Sequence, residues 1–194
     1  MANNRGLILL RIARTAVAEA LSQPHEALEE ATKNERWLQQ QAACFVTLTR
    51  HGRLRGCIGT LEAKRPLLED VSSNARAAAF KDPRFAPLTA DELQDTDIEV
   101  SLLSPMQAVV FKDEQDALAQ LQPGVDGLVF EYGQHRSTFL PQVWEQLPEP
   151  KDFVAQLKQK AGLPAGFWAD GVKLFRYSVD KWKEHDVNDQ YGGI

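Results

Sequence analysis

The segment ACFVTLTRHGRLRGCIGTL, residues 43–61, decides the fold of this chain. Its first part, Ala43–Thr49, is rich in the β-branched and aromatic residues that favour strands. His51-Gly52 supplies a two-residue turn, and Arg53–Leu61 returns beside the first part. The segment therefore predicts a β-hairpin.

The two-residue turn also predicts the register of the hairpin. It places Cys44 opposite Gly59 and Cys57 opposite Val46. The two cysteines are then diagonal neighbours at about 7–8 Å, which is too far for a relaxed disulfide. We therefore expect two free thiols, although a shifted register would change that distance.

Apolar periodicity and breaker residues predict the other elements. Helices are predicted at Gly6–Ser22, within 23–41, at Pro66–Phe80, after a Thr89/Glu92 capping box, at Asp113–Leu121 and around Phe153–Ala161. Strands are predicted at Asp97–Leu103, Gly127–Tyr132, Ser137–Leu140 and Val172–Lys183. Because strands tend to come in hairpins, we predict an α+β fold with mixed or antiparallel sheets and packed helices. A longer helix–strand alternation in the middle is the alternative.

Length and composition suit one globular domain. The chain has 194 residues, of which 43% are hydrophobic and 25% charged. We predict a single domain over residues 1–183 and a poorly ordered polar tail over 184–194. No apolar run approaches the roughly 20 residues that cross a bilayer, and Arg11 and Arg14 interrupt the N-terminal apolar stretch. We expect a cytoplasmic protein that does not bind membranes.

The charge is unevenly distributed. The net charge is −5, yet the stretch Phe45–Ala90 carries +4 from eight basic and four acidic residues. Those basic residues are Arg50, Arg53, Arg55, Lys64, Arg65, Arg76, Lys81 and Arg84. Such an island is typical of an anionic-ligand site or, more commonly, of scattered surface arginines. Non-specific nucleic-acid binding is not expected at this net charge.

Familiar catalytic motifs are absent from the sequence. It contains no Gly-x-Ser-x-Gly elbow, His-Glu-x-x-His zinc helix or Gly-x-Gly-x-x-Gly loop. The four histidines lie far apart, and the two cysteines are not spaced as a zinc pair. We predict no metal and no cofactor.

The first candidate site is in the returning strand of the hairpin. A period of two places Arg53, Arg55, Cys57 and Gly59 on one face. Arg55 beside Cys57 would favour the thiolate that a nucleophilic cysteine needs. Gly56 and Gly59 would admit a ligand or another backbone at close range. The alternative is structural, because free cysteine is commonly buried and strand glycines often mark bulges.

The second candidate site follows the predicted helix at Pro66–Phe80. Asp82 and Arg84 flank Pro83 and could present a charge pair to a cleft, or simply hold the loop. Glu99 and Ser101, on the polar face of their strand, could line the same cleft. A solvated strand face is the alternative.

These segments resemble the AMMECR-type domain family. The resemblance is carried by Phe45–Leu48, Gly52–Thr60, Ala78–Phe85, Glu92-Leu93, Ile98–Ser101, Thr138–Val143 and Lys160–Pro164, in family order. It implies an α+β fold of two unequal lobes, the larger combining both chain ends, with a cleft close to Arg55–Gly59. Gln134-His135-Arg136 departs from the expected small or polar residues, and we assign His135 no role.

The resemblance also implies partners. Bacterial members are named protein A of the AmmeMemoRadiSam system, after a Memo-like protein and a radical S-adenosylmethionine enzyme. We therefore favour a ligand- or partner-binding component of a multi-protein modification system. A thiol-dependent enzyme using Cys57 and a nucleotide or nucleic-acid binding protein are the alternatives, so whether the chain is an enzyme stays open.

Overall fold

The computed structural model describes residues 2–186, which divide into two compact units. One unit combines the residues up to Leu103 with those from Asp180 onward, and the other spans Ser104–Val179. The larger unit thus contains both ends of the chain, as the resemblance implies. Within the described residues, no helix is both long and apolar enough to cross a membrane.

Helices and antiparallel strand pairs together form the predicted α+β fold. The helices are α1 (Ala2–Ala20), α2 (Glu30–Lys33), α3 (Arg36–Gln39), α4 (Leu67–Phe80), α5 (Ala90–Leu93), α6 (Glu114–Ala119) and α7 (Pro150–Lys160). The strands are β1 (Gln41–Ala42), β2 (Cys44–Arg50), β3 (Arg53–Gly59), β4 (Arg65–Pro66), β5 (Thr96–Leu103), β6 (Gln107–Ala108), β7 (Gly127–Tyr132), β8 (His135–Phe139), β9 (Lys173–Tyr177) and β10 (Val179–Lys183).

A four-stranded sheet with the order β10-β5-β2-β3 organises the first unit. Val46 and Leu48 of β2 lie opposite Val100 and Ile98 of β5, and all four are buried. α1 and α4 pack against each other and against this sheet, covering the apolar side chains. β3 is therefore an edge strand whose inner face meets a helix.

The second unit has its own sheet and core. Its strands follow the order β6-β9-β7-β8, and β7 and β8, which correspond to the strands predicted at Gly127–Tyr132 and Ser137–Leu140, form a hairpin around Gly133. Trp144 is buried and stacks on Phe153 with ring centroids 3.7 Å apart. The ammonium group of buried Lys158 contacts Glu114 and lies 5.4 Å from the Trp168 ring centroid. None of the site residues predicted from the sequence lies in this unit.

The predicted hairpin of β2 and β3 is confirmed, but it contains a β-bulge. Thr49 lies opposite Leu54, whereas Leu48 lies opposite Gly56. Arg55 is the extra residue between these two pairs. A bulge of this kind re-aims a side chain and bends its strand.

Beyond the bulge, the predicted register is wrong by one residue. Cys57 lies opposite Thr47 and Gly59 opposite Phe45, each partner following the predicted one by one position. The turn alone could not reveal this shift, because the extra residue lies inside the strand. Cys44 and Cys57 are both free thiols, as expected.

Two glycines of β3 are in close contact with other parts of the protein. A Cβ on Gly56 would lie 2.1 Å from the carbonyl oxygen of Ala78 in α4. A Cβ on Gly59 would lie 2.2 Å from the ring of Phe45. The close backbone approach considered for Gly56 is therefore made by α4, while an aromatic ring covers Gly59.

The predicted strand Val172–Lys183 is wrong as a single element. It is two strands, β9 in the second sheet and β10 in the first, with Ser178 between them. The backbone N–H and carbonyl of Ser178 both bond to Ser104. Ser178 therefore bonds to Ser104, a loop residue, instead of continuing a hydrogen-bond ladder between strands.

The predicted tail begins at Glu184, which is described. Its carboxylate accepts hydrogen bonds from Arg14 and from the backbone N–H of Ile98. Residues 187–194 lie outside the described residues, and the prediction for them stays a prediction.

The packing of α4 on Gly56 is testable. Gly56→Ala should lower the free energy of unfolding by about 2 kcal/mol or more, because backbone atoms must move to admit the methyl group. Gly166→Ala, at a position with nothing within 4 Å of the added Cβ, is the matched control. It should change stability by no more than about 0.5 kcal/mol. Urea unfolding measures both, and equal effects would contradict the packing argument.

Candidate functional site

The bulge directs Arg55 toward a carboxylate 37 residues away. Its Nε and Nη2 donate to Glu92 Oε1 at 3.1 Å and Oε2 at 2.9 Å. Arg50 Nη1 also donates to Oε1, and the backbone N–H of Thr89 donates to Oε2. Glu92 therefore ties the hairpin to the predicted capping box, which is confirmed. The Arg55 hydrogen bonds, followed by that of Thr89, lower the pKa of Glu92 to about 2.

Cys57 is held through its backbone and its sulfur. Its N–H donates to Asp82 Oδ2 at 2.9 Å, and its carbonyl accepts a bond from Arg84 Nη2 at 3.4 Å. The Thr47 hydroxyl donates to Sγ at 3.2 Å. Asp82 and Arg84 thus cover the outward backbone groups of an edge strand, which protects such an edge from pairing.

Asp82 and Arg84 form a close ion pair in the loop after α4. Arg84 Nε and Nη2 donate to the two Asp82 oxygens at 2.9 and 2.7 Å. This pairing holds the pKa of the buried Asp82 carboxyl well below its usual range. Phe85 lies beside it, with its ring centroid 5.5 Å from the Arg84 guanidinium carbon and 5.9 Å from that of Arg55. The structure thus brings the two predicted sites together.

Glu99 and Ser101 lie two strands away from Cys57. Since Gly56 faces α4, Cys57 faces the opposite side of the sheet. On that side the register aligns Cys57, Thr47 and Glu99 across three strands, with Ser101 in the next row. The Glu99 carboxylate is near two lysine ammonium groups, Lys181 at 3.9 Å and Lys183 at 3.4 Å. These residues share the face of Cys57 but lie two strands away from it.

Arg53 lies at the exposed end of the hairpin. It lines a shallow cavity of about 470 Å³ with Arg50, His51, Leu54 and Arg55. A larger groove of about 570 Å³ lies elsewhere in the first unit, beside α1, and none of the predicted site residues lines it.

Thr47, Phe85 and Glu92 are site residues that sequence reasoning missed as such. Glu92 was predicted only as a helix cap, although an arginine-rich hairpin needs a carboxylate partner. Phe85 directly follows the predicted Asp82–Arg84 pair, but the sequence assigns it no role of its own. Thr47 could not be identified, because its contact with Cys57 depends on the bulge.

Arg55 and Cys57 are each engaged by other side chains. Both Arg55 donors that make hydrogen bonds are directed to Glu92, and the half-buried Cys57 sulfur accepts a bond from a neutral hydroxyl. Within residues 2–186, no group of three or more histidine, cysteine or acidic side chains could hold a metal ion.

The Glu92 network should make stability depend on pH. Because the folded-state pKa lies below the unfolded value of about 4.3, the network stabilises the fold fully above that pH. The stabilisation is lost as pH falls toward about 2. Glu92→Gln should lower the free energy of unfolding at pH 7 by about 1–2 kcal/mol, a value between those of exposed and buried pairs.

The pH dependence of this effect and a control variant test the prediction. The difference between wild type and Glu92→Gln should shrink as pH falls through that window, measured by urea unfolding. Asp91→Asn, at the exposed neighbouring position, should leave stability nearly unchanged. A difference that stays constant down to pH 2 would show that the charge of Glu92 contributes nothing.

Comparison with known proteins agrees with this architecture. The AMMECR1 family model matches residues 10–182. Protein MJ0810 of Methanocaldococcus jannaschii is 34% identical over 183 residues, covering 92% of this chain and 90% of its own. A Saccharolobus islandicus protein is 38% identical, covering 90% and 79%. The crystal structure of the uncharacterised protein PH0010 from Pyrococcus horikoshii matches with a TM-score of 0.76 and 31% identity, covering 92% and 91%. The chain therefore belongs to the AMMECR1 family.

Proposed function

We propose that this protein is a binding component of a multi-protein modification system, with its working surface at the Arg53–Gly59 edge of the first unit. The partners suggested by the family resemblance are a Memo-like protein and a radical S-adenosylmethionine enzyme. The observation that carries the proposal is the exposed tip of the hairpin. The tip combines an apolar side chain with arginines, and it lies next to ion-paired side chains.

The tip has the composition of a recognition surface. Leu54, which lies between two arginines on an edge strand, is 43% exposed. Arginine is enriched in protein interfaces and among the residues that contribute most of the binding energy, and an apolar side chain adds binding energy when a partner buries it. Behind the tip, Arg55 and Arg84 are already paired with carboxylates. A partner would therefore meet a preorganised surface.

The ion pairs of the basic residues argue against nucleic-acid binding. Six of the eight basic side chains in the island contact acidic side chains: Arg50, Arg55, Lys64, Arg65, Arg76 and Arg84. Their charge is largely compensated within the protein. Few of these side chains are left free to neutralise the successive phosphates of a nucleic acid.

Capture of partners from the source organism tests the proposal. The tagged wild type should retain the Memo-like protein and the radical enzyme, whereas Leu54→Ser should retain several-fold less of both. Val110→Ser is the matched control, because Val110 is 85% exposed and lies in the second unit. Quantitative mass spectrometry measures retention. Equal retention by wild type and Leu54→Ser would reject this working surface.

A thiol-dependent enzyme is the second candidate, since Cys57 is only partly buried. Because Arg55 is bound to Glu92, Arg55→Gln should change the alkylation rate of native Cys57 at pH 7 by no more than about twofold. Cys44 will not interfere, because burial raises the pKa of its thiol. The rate is followed by mass spectrometry. Fast alkylation that is abolished in Arg55→Gln would instead identify a thiol activated by Arg55.

A further inference from the structure

Three guanidinium groups line the shallow cavity at the hairpin tip. Arg50, Arg53 and Arg55 surround about 470 Å³ together with His51 and Leu54. The carboxylates that contact these side chains belong to two residues. Glu92 contacts Arg50 and Arg55, and Asp95 lies 3.6 Å from Arg50 and 3.9 Å from His51. Three arginines thus stand against two contacting carboxylates, which leaves a formal excess of one positive charge in the cavity wall.

Several hydrogen-bond donors in this wall have no protein acceptor. Arg50 Nε and Arg55 Nη1 are buried atoms without a hydrogen-bond partner. Arg53 is exposed and has neither an ion pair nor a side-chain hydrogen bond within the described residues. Buried donors are normally satisfied, so these two leave hydrogen-bonding capacity beside the cavity that the described residues do not use.

We propose that this cavity binds the phosphate group of a phosphate monoester. The inference deepens the proposed binding role of the same edge and rests on it. A phosphate dianion offers three peripheral oxygens, enough to accept bonds from several guanidinium groups at once. A carboxylate offers two oxygens and one charge, so it matches the wall less well.

The fold assigns different tasks to the three arginines. Glu92 fixes Arg50 and Arg55, which reduces the entropy lost when a ligand binds. Arg53 has no such partner, so its guanidinium group is free to make a further contact with the bound phosphate. Leu54, 43% exposed at the rim, offers an apolar surface to the ester group. An ester should therefore bind more tightly than inorganic phosphate.

Titration of the full chain with inorganic phosphate, phenyl phosphate and acetate tests the proposal. Amide chemical shifts in NMR spectra should change around residues 50–55, with phenyl phosphate binding most tightly and acetate most weakly. Arg53→Gln should weaken phosphate binding by about tenfold, the loss expected for one charge-assisted contact. Added NaCl should weaken it further. Arg36→Gln, at an exposed position on α3, should bind as the wild type does.

The outcomes separate this inference from the proposed function. Shifts outside residues 50–55, unchanged affinity in Arg53→Gln, or acetate binding as tightly as phosphate would each overturn the phosphate site. Because Arg53 makes no contact that holds the fold, an unchanged thermal midpoint will confirm that Arg53→Gln is folded. Phosphate failing to bind while Leu54→Ser still lowers partner capture would reject the phosphate site alone. Capture unchanged in Leu54→Ser would reject the proposed function itself.

Discussion

The carbonyl oxygen of Ala78 occupies the space beside Gly56 where any other residue would carry its side chain. Helix α4 can therefore lie directly against the backbone of edge strand β3. The helix ends two residues later, and Asp82 then reaches the outward N–H of Cys57. The position of the Asp82–Arg84 loop depends on this contact, because a larger residue at 56 would displace the helix end from the strand.

Two carboxylates then fix the arrangement around β3. Asp82 holds Arg84 and Cys57 on one side of the edge, and Glu92 holds Arg55 and Arg50 at the bulge. The pKa of each carboxyl is lowered by its arginine partner, so both stay ionised at neutral pH. They tie the base of the hairpin to α5 and to the loop after α4.

Local patterns predicted much of the fold, whereas long-range contacts set the rest. The hairpin of β2 and β3 and the cap at Thr89 were confirmed because each depends on neighbouring residues. The register was wrong because the bulge at Arg55 is coupled to Glu92, which no local pattern reveals. The prediction of one strand at Val172–Lys183 was wrong because side chains alternate in the same way in either sheet. The pattern therefore does not reveal where the chain passes from one sheet to the other. Asp82 and Arg84 were identified as a pair, but their contact with Cys57 required the packing of α4.

The unusual segment Gly52–Thr60 can now be divided by what each residue contacts. The two glycines inside β3 are explained by α4 and an aromatic ring, and Arg55 and Cys57 are held by side chains from later segments. Arg53 and Leu54 are not explained in this way, because both are exposed and neither supports the fold. The proposed contact with another molecule would account for these two residues. The structural role of the glycines and the proposed binding role of the tip thus fall on nearby residues of one strand.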